Sequence, residues 1–187
     1  MALGVALAVC GSTAGCARTP SPPAALTSIA TPDSAAVVAM LAGTQNAACP
    51  LPGVATGGQP DSTRFAAMAA GGVRTVIDLR AASEPRGFDE PAVAHAAGLE
   101  YVNLPVTPAS LSDSTFDAFR ALMRKRGAAT VLVHCHSGNR VGAVLVPWLV
   151  LDRGWTLERA IAAAEAGGMR TPALKEKAVG YVRARGR

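Results

Sequence analysis

The amino-acid sequence predicts a single α/β domain in which a central, mostly parallel sheet of about four to five strands is flanked by helices. Two observations carry this prediction. Short apolar, β-branched segments alternate with helix-like segments along the chain, which is typical of a parallel sheet covered by helices. The clearest unit lies at residues 131–151, where an apolar segment ends at Cys135 and a helix begins at Arg140.

Composition supports one folded domain and argues against nucleic-acid binding. The chain has 187 residues, of which 50% are hydrophobic and 4% aromatic, so alanine, valine and leucine must fill the core. The formal net charge is +5. The basic residues cluster at predicted helix ends and on the last predicted helix without interleaved aromatic residues, so we expect no nucleic-acid partner.

The N-terminal part of the chain differs from the rest. Residues 1–16 are apolar and uncharged, as in the core of an export segment, and are too few for a conventional membrane span. The run Thr13-Ala14-Gly15-Cys16 resembles a bacterial lipoprotein cleavage box, in which the cysteine is lipidated. Residues 17–45 contain many Pro, Ser, Thr and Ala and predict a flexible tether. We therefore expect an exported protein, periplasmic or membrane-anchored through lipidated Cys16, with its folded domain at residues 46–187.

Glycine, proline and capping residues delimit the predicted elements of that domain. An edge strand is predicted within 47–58, and further strands at 73–79, 99–106 and 130–133. Helices are predicted at 61–70, 90–97, 114–126, 140–152, 157–166 and 172–185. For the third of these helices we expect a capping box formed by Ser114 and Asp117.

The loop at residues 134–140, His-Cys-His-Ser-Gly-Asn-Arg, carries the candidate chemistry. Backbone N–H groups at the start of the following helix attract an anion and favour the thiolate form of a cysteine. Arginine adds a planar fork that binds two oxygens of a phosphate. We predict a nucleophilic cysteine, a supporting histidine at the strand end and an oxyanion cradle, formed in chain order by His134, Cys135, His136, Ser137, Gly138, Asn139 and Arg140. We expect His134 to fix the loop by hydrogen bonds to its backbone, with a buried histidine of no such role as the alternative. Gly138 is expected to allow a close backbone approach or a positive φ, and Asn139 to orient the loop.

The alternative for the cysteine is a structural core thiol. No metal is predicted, because adjacent side chains of an extended segment point to opposite faces, so His134, Cys135 and His136 make a poor ligand set. No cofactor is predicted either. Cys49 falls in the folded part of the chain, and we expect it to be a free, half-buried thiol, since a permanent bridge to Cys135 would disable the nucleophile.

Four motifs in order carry a family resemblance: Gly57-Gly58-Gln59-Pro60, Val76-Ile77-Asp78-Leu79-Arg80 with Glu84, Tyr101-Val102-Asn103-Leu104-Pro105-Val106, and the Cys135 loop. From about residue 53 to 169 the chain resembles the cysteine-dependent protein tyrosine/dual-specificity phosphatase superfamily, and more closely its bacterial beta-lactamase hydrolase-like (phosphatase-like) proteins. The resemblance implies hydrolysis of a phosphorylated substrate through a cysteinyl-phosphate intermediate. Arg80 and Glu84 are expected to form a supporting ion pair.

Two departures from the superfamily pattern affect the expected chemistry. Only four residues separate Cys135 from Arg140, where the superfamily has five, and rhodanese-type sulfurtransferases use a loop of the shorter kind. Thr107 stands where the superfamily has an aspartate that protonates the leaving oxygen. Asp113 is the nearest candidate for this general acid, with a dipole-stabilising residue at a helix N-terminus as its alternative.

Three hypotheses on function therefore stay open. The first is a cysteine-dependent phosphatase with Cys135, Arg140 and Asp113 as catalytic residues. The second is a rhodanese-like sulfurtransferase or persulfide carrier, which needs no aspartate acid. The third is a non-enzymatic oxyanion-binding module.

Overall fold

A computed structural model describes residue 1, residues 34–127 and residues 129–186. Five strands form one sheet in the order β1-β2-β5-β3-β4. Their bounds are Ala48–Leu51 (β1), Val54–Gly57 (β2), Val73–Asp78 (β3), Glu100–Asn103 (β4) and Thr130–His134 (β5). Strand β1 is antiparallel to β2, and the other neighbouring strands are parallel. The predicted single α/β domain with a mostly parallel sheet is confirmed.

Seven helices accompany the sheet in the described part of the chain. Their bounds are Ser34–Met40 (α1), Arg64–Ala70 (α2), Glu90–Ala96 (α3), Asp113–Arg126 (α4), Asn139–Leu151 (α5), Leu157–Ala166 (α6) and Pro172–Arg185 (α7). None of these helices combines the length and the apolarity that a membrane crossing requires.

The helices cover both faces of the sheet because strand side chains alternate between the faces. In β5, Val131 and Val133 pack into the cluster that contains the apolar residues of α4, α5, α6 and α7. Leu132, between them, packs with the buried residues of α1, α2 and α3. The two hydrophobic clusters lie on opposite faces of the sheet, and this alternation decides which face each later residue of β5 reaches.

Three predicted elements need correction. Residues 47–58 contain two strands rather than one, and β1 takes the edge position while β2 pairs with β5. Strand β4 is shorter than predicted, since its pairing with β3 covers only Glu100–Asn103. Helix α4 has Ser112 as its N-cap, so the capping box predicted at Ser114 is wrong. Asp117 lies inside α4 and accepts a hydrogen bond from the hydroxyl of Tyr181.

The predicted tether ends earlier than residue 45. Helix α1 buries Val37, and Leu41 after it is equally buried, each being 1% exposed against α2 and the sheet. Their spacing of four places both side chains on one helix face. The folded part of the chain therefore includes residues 34–45. The predicted export segment after Met1, with Cys16, and residues 17–33 of the predicted tether lie outside the described residues.

Substitution of Leu41 tests whether residues 34–45 belong to the folded domain. Leu41→Ala should lower the free energy of unfolding by about 2–5 kcal/mol, since it removes a buried side chain and leaves a cavity. Urea denaturation measures the change. Ala39→Ser, on the exposed side of α1, is the control and should change stability by less than about 0.5 kcal/mol. Equal, small effects of both substitutions would contradict the corrected boundary.

Candidate active site

The parallel strands end at one edge of the sheet and bring the motifs together. In register, Gly57 pairs with His134, His134 with Asp78, and Asp78 with Asn103. Ligands of open α/β sheets bind beyond the carboxyl ends of the strands. The segments that follow these four strand ends therefore share one site, and the loop after His134 lies among them.

Cys135 begins this loop and is 1% exposed. The backbone N–H of Gly138 donates to its Sγ at 3.1 Å. Gly138 has φ of 84°, and an added Cβ there would collide with the carbonyl oxygen of Gly167. Only glycine meets both conditions without strain, as the sequence analysis predicted for this position. A donor aimed at the sulfur at the start of α5 favours negative charge on the sulfur.

The outer side of the loop contacts two segments, the residues that follow β2 and Asn46 before β1. The N–H of Gln59 donates to the carbonyl of His136 at 3.2 Å, and an added Cβ at Gly58 would lie 2.8 Å from that same carbonyl oxygen. Asn46, at a positive φ of 54°, donates from Nδ2 to the carbonyl of Ser137 at 2.8 Å. The backbone of the loop is therefore fixed by neighbours on both sides, while the His136 side chain is exposed.

Asn139 fixes the start of α5. Its Nδ2 donates to Oγ1 of Thr171 at 2.7 Å, and its Oδ1 accepts from the N–H groups of Arg170 at 2.8 Å and Thr171 at 3.2 Å. The side chain thus points to the connection between α6 and α7. Asn139 orients the loop, which the sequence analysis expected, through contacts with a segment far along the chain.

Arg140 forms a two-pronged ion pair with Glu84. Its Nη1 and Nη2 donate to the two carboxylate oxygens at 2.6 and 2.8 Å, and Nη1 also approaches the carbonyl of Val106 at 3.2 Å. Guanidinium carries five N–H donors. Among the described residues, the Nε–H and the second Nη2 hydrogen donate to no oxygen, and they share one edge of the fork. That edge is available to two oxygens of an oxyanion.

The ion pair shifts the pKa of both groups. The hydrogen bond from Arg140 lowers the pKa of Glu84 to about 2, against the opposing effect of burial. Glu84 in turn, with a smaller contribution from Cys135, raises the pKa of Arg140. Arg80 is the lesser partner of Glu84, with Nε at 3.4 Å from Oε2. The expected pair of Arg80 and Glu84 exists, but its main role is to hold the carboxylate on Arg140.

His134 is fully buried on the face of the sheet that α3 covers. Its Nε2 lies 2.8 Å from Oε1 of Glu90 and 3.8 Å from Oδ1 of Asp78. The contact with Glu90 is close, although its direction is poor for a hydrogen bond. Hydrogen bonds from the His134 side chain to the loop backbone are expected from the sequence. That expectation is wrong, because the side-chain alternation of β5 turns His134 toward α3.

One atom each of Asp78, Glu90 and His134 lies within 4.8 Å of the other two, a spacing that a metal ion could bridge. The chain itself places a cation beside these carboxylates. Arg86 donates to Oδ2 of Asp78 from Nε at 2.9 Å, and its Nε lies 3.3 Å from Oε2 of Glu90. Gln59 donates to the same Oε2 at 3.1 Å. A guanidinium thus already balances one of the two buried negative charges.

Asp113, the predicted general acid, is the first residue of α4, and its side chain is 67% exposed. Its Oδ2 accepts from Arg185 at 3.1 Å. Helix α7 begins beside Asn139 and ends at Arg185, and its 14 residues make it about 21 Å long. Arg185 is therefore at the end of α7 remote from the loop. The role of Asp113 as the acid stays a prediction that this placement does not support.

Comparison with known sequences identifies the family. Residues 51–150, just over half of the chain, match the family model described as beta-lactamase hydrolase-like protein, phosphatase-like domain. The chain belongs to this family. Beta-lactamase hydrolase-like proteins of Xylella fastidiosa (strain Temecula1) and Agrobacterium fabrum are 39% identical over 92 residues and 29% identical over 99 residues. These matches cover 46% and 51% of this chain but only 21% and 23% of the relatives.

Solved structures share the fold. A candidate phosphatase from Shewanella putrefaciens CN-32 superposes with a TM-score of 0.69 at 22% identity, covering 80% of this chain and 99% of that one. A variant of P. aeruginosa TpbA in complex with pTyr superposes with a TM-score of 0.57 at 21% identity, covering 74% and 83%. The phosphatase-like fold implied by the four motifs is confirmed.

Several residues that shape the site are not predicted from the sequence. Asn46 is seen in the sequence only as the first residue of the predicted domain. The one signal for its role is its residue type, since asparagine is enriched at positive φ. Glu90 was seen only as the start of α3, and Arg86 was not singled out. Their roles depend on contacts between α3 and β5 that no local pattern encodes.

Two glycine substitutions separate steric contact with the loop from the general effect of alanine. Gly58→Ala places a Cβ against the carbonyl of His136, so the loop must shift, and we expect a loss of about 100-fold in kcat/KM. Gly180→Ala, in α7 with no atom within 4 Å of the added Cβ, should instead stabilise the protein by about 0.5–1 kcal/mol. Steady-state kinetics and thermal unfolding of both variants check this; normal activity of Gly58→Ala would contradict it.

The pair of Glu84 and Arg140 makes stability depend on acid pH. Because its pKa is lowered from 4.5 to about 2 in the folded state, Glu84 stabilises the protein above pH 4.5, and this contribution disappears as the pH falls toward 2. The difference in unfolding free energy between wild type and Glu84→Gln should therefore shrink over that interval. Urea denaturation at several pH values measures it. Glu158→Gln, at an exposed position of α6, is the control; a constant difference for Glu84→Gln would refute the assignment.

Proposed function

We propose that this protein is a cysteine-dependent phosphatase that hydrolyses phosphomonoesters through a cysteinyl-phosphate intermediate. One observation carries the proposal: Sγ of Cys135, which accepts the Gly138 N–H at 3.1 Å, stands at the start of α5, and one guanidinium edge of Arg140 has no oxygen partner among the described residues. A nucleophile and a set of oxyanion donors in one loop are what phosphoryl transfer to a thiolate requires.

In the first step, a lone pair of the Cys135 thiolate forms an S–P bond while the bond from phosphorus to the leaving oxygen breaks, and that oxygen keeps the bonding pair. Arg140 and loop N–H groups hold the non-bridging oxygens. In the second step, water attacks phosphorus, the S–P bond breaks and the thiolate is regenerated. The product is inorganic phosphate, and the proton of the water passes to phosphate or solvent.

Family membership supports phosphoryl transfer over the other two hypotheses. The family model is that of a phosphatase-like domain, and a protein of the same fold is known in complex with pTyr. We extend a phosphorylated substrate to this chain on that basis. The sulfurtransferase hypothesis rests on the four-residue spacing and on Thr107 in place of an aspartate, and neither feature excludes phosphoryl transfer. A pure binding module would have no need of a cysteine sulfur beside the oxyanion donors.

We also propose that the protein is exported and anchored to a membrane through lipidated Cys16. The apolar, uncharged residues 1–15 and the small residues before Cys16 support this proposal. Expression of the full chain and of Cys16→Ala, followed by separation of membrane and soluble fractions, tests it. Equal distribution of both proteins would refute lipidation as the anchor.

Replacement of each folded-domain cysteine tests the nucleophile. Cys135→Ser should reduce hydrolysis of p-nitrophenyl phosphate to background, because a serine hydroxyl is not ionised in this loop. Cys49→Ser is the matched control and should retain full turnover, since Cys49 is a free thiol in β1 that donates to the carbonyl of Leu51. Release of p-nitrophenol measures both. A parallel assay uses thiosulfate and cyanide as substrates. Turnover in that assay, together with no hydrolysis of p-nitrophenyl phosphate, would contradict the phosphatase and favour the sulfurtransferase.

A further inference from the structure

The proposed reaction leaves one requirement open, which is the source of a proton for the leaving oxygen. A poor leaving group departs as an alkoxide unless an acid protonates it in the transition state. The presence or absence of an acid beside the loop therefore determines which phosphoryl compounds the site can cleave.

The segment after β4, where the acid is expected, carries no proton donor of suitable strength. Thr107 lies next to Val106, whose carbonyl contacts Arg140. The Thr107 hydroxyl donates to Oγ of Ser110 at 3.0 Å and accepts from the N–H of Ser110 at 3.0 Å. It is thus committed to a local turn, and a threonine hydroxyl does not ionise near neutral pH.

The same segment is held in place and does not carry a distant acid toward the loop. Leu111 is 2% exposed and donates from its N–H to the carbonyl of Thr107 at 2.9 Å. Nζ of Lys177, in α7, donates to the carbonyls of Pro108 at 2.8 Å and Leu111 at 2.9 Å. Asp113, which follows this anchored segment, pairs with Arg185 at the remote end of α7.

Of the carboxylates that approach the loop, one is ionised and the other two lie on the opposite face of the sheet from Cys135. Glu84 is ionised because Arg140 lowers its pKa to about 2. Asp78 and Glu90 are 0% exposed, on the side of the sheet that α3 covers, and both contact Arg86. Cys135 packs in the cluster on the opposite face of the sheet. Among the described residues, no other carboxylate forms a hydrogen bond or ion pair with residues 134–140.

From these contacts, and on the basis of the proposed function, we infer that the site cleaves phosphoryl compounds whose leaving group departs without a proton. Acyl phosphates and aryl phosphates of acidic phenols belong to this class. Alkyl phosphates do not, because their leaving alkoxide is a strong base. The S–P bond forms and the P–O bond breaks as above, and the carboxylate or phenolate leaves as a free anion. The second step needs no acid, since its leaving group is the Cys135 thiolate.

A series of aryl phosphates with graded phenol pKa values tests the inference. Without an enzymic acid, kcat/KM should fall by roughly fivefold for each unit of increase in leaving-group pKa. Acetyl phosphate should be hydrolysed, and glycerol phosphate should not. The series is measured with the full chain and with the variants Asp113→Asn and His136→Ala. Each variant should keep the same slope, whatever its effect on the overall rate.

The outcomes separate this inference from the proposed function. A flat series, or rapid hydrolysis of glycerol phosphate, would overturn the inference and leave the phosphatase in place. A steeper slope in Asp113→Asn would identify Asp113 as the acid, and a steeper slope in His136→Ala would identify the exposed imidazole of the loop; either overturns the inference. If the folded protein hydrolyses none of the aryl phosphates, acetyl phosphate or glycerol phosphate, both the proposed function and the inference are overturned.

Discussion

The register between β3 and β5 is the constraint on which the site depends. This register pairs Asp78 with His134, the last residues of β3 and β5. The segments that follow the two strands therefore begin side by side at the same edge of the sheet. Side-chain alternation then turns His134 toward α3 and leaves Cys135 in the cluster on the other face. A slip of one residue would exchange these two side chains between the faces. Strand pairing thus fixes the face of the sheet on which the nucleophile lies.

Behind the loop, charges of opposite sign balance one another. The guanidinium groups of Arg80, Arg86 and Arg140 face the carboxylates of Asp78, Glu84 and Glu90. Gln59 joins the two halves, since its side chain donates to Glu90 and accepts from Arg80. Buried ion pairs contribute little net stability, but loss of one partner costs about 3–5 kcal/mol. The network therefore acts chiefly to fix positions, and it explains why residues from three separate motifs occur together.

Local signals predicted the elements, and non-local contacts explain what they missed. Glycines that end helices and apolar segments located β3, α3 and α5 to within a few residues. Helix α1 was missed because its seven residues are mostly small. Only the packing of Val37 and Leu41 against other elements shows that this segment belongs to the core. The nucleophile and its arginine were predictable since both lie in one loop. The partner of Arg140 was not, because a glutamate four residues from Arg80 indicates a pair with Arg80 first.

A loop fixed on all sides suits chemistry in which the protein does not move. Asn46, Gln59 and Asn139 each hold the backbone around Cys135, and Lys177 holds the segment beside Arg140. Donors that are already in place stabilise developing charge without reorganising at the moment of reaction. Such a site can stabilise the transition state of transfer to sulfur strongly while supplying no proton to the leaving oxygen. Selectivity would then come from the chemistry of the bond being broken, and less from a shaped pocket that recognises the rest of the substrate.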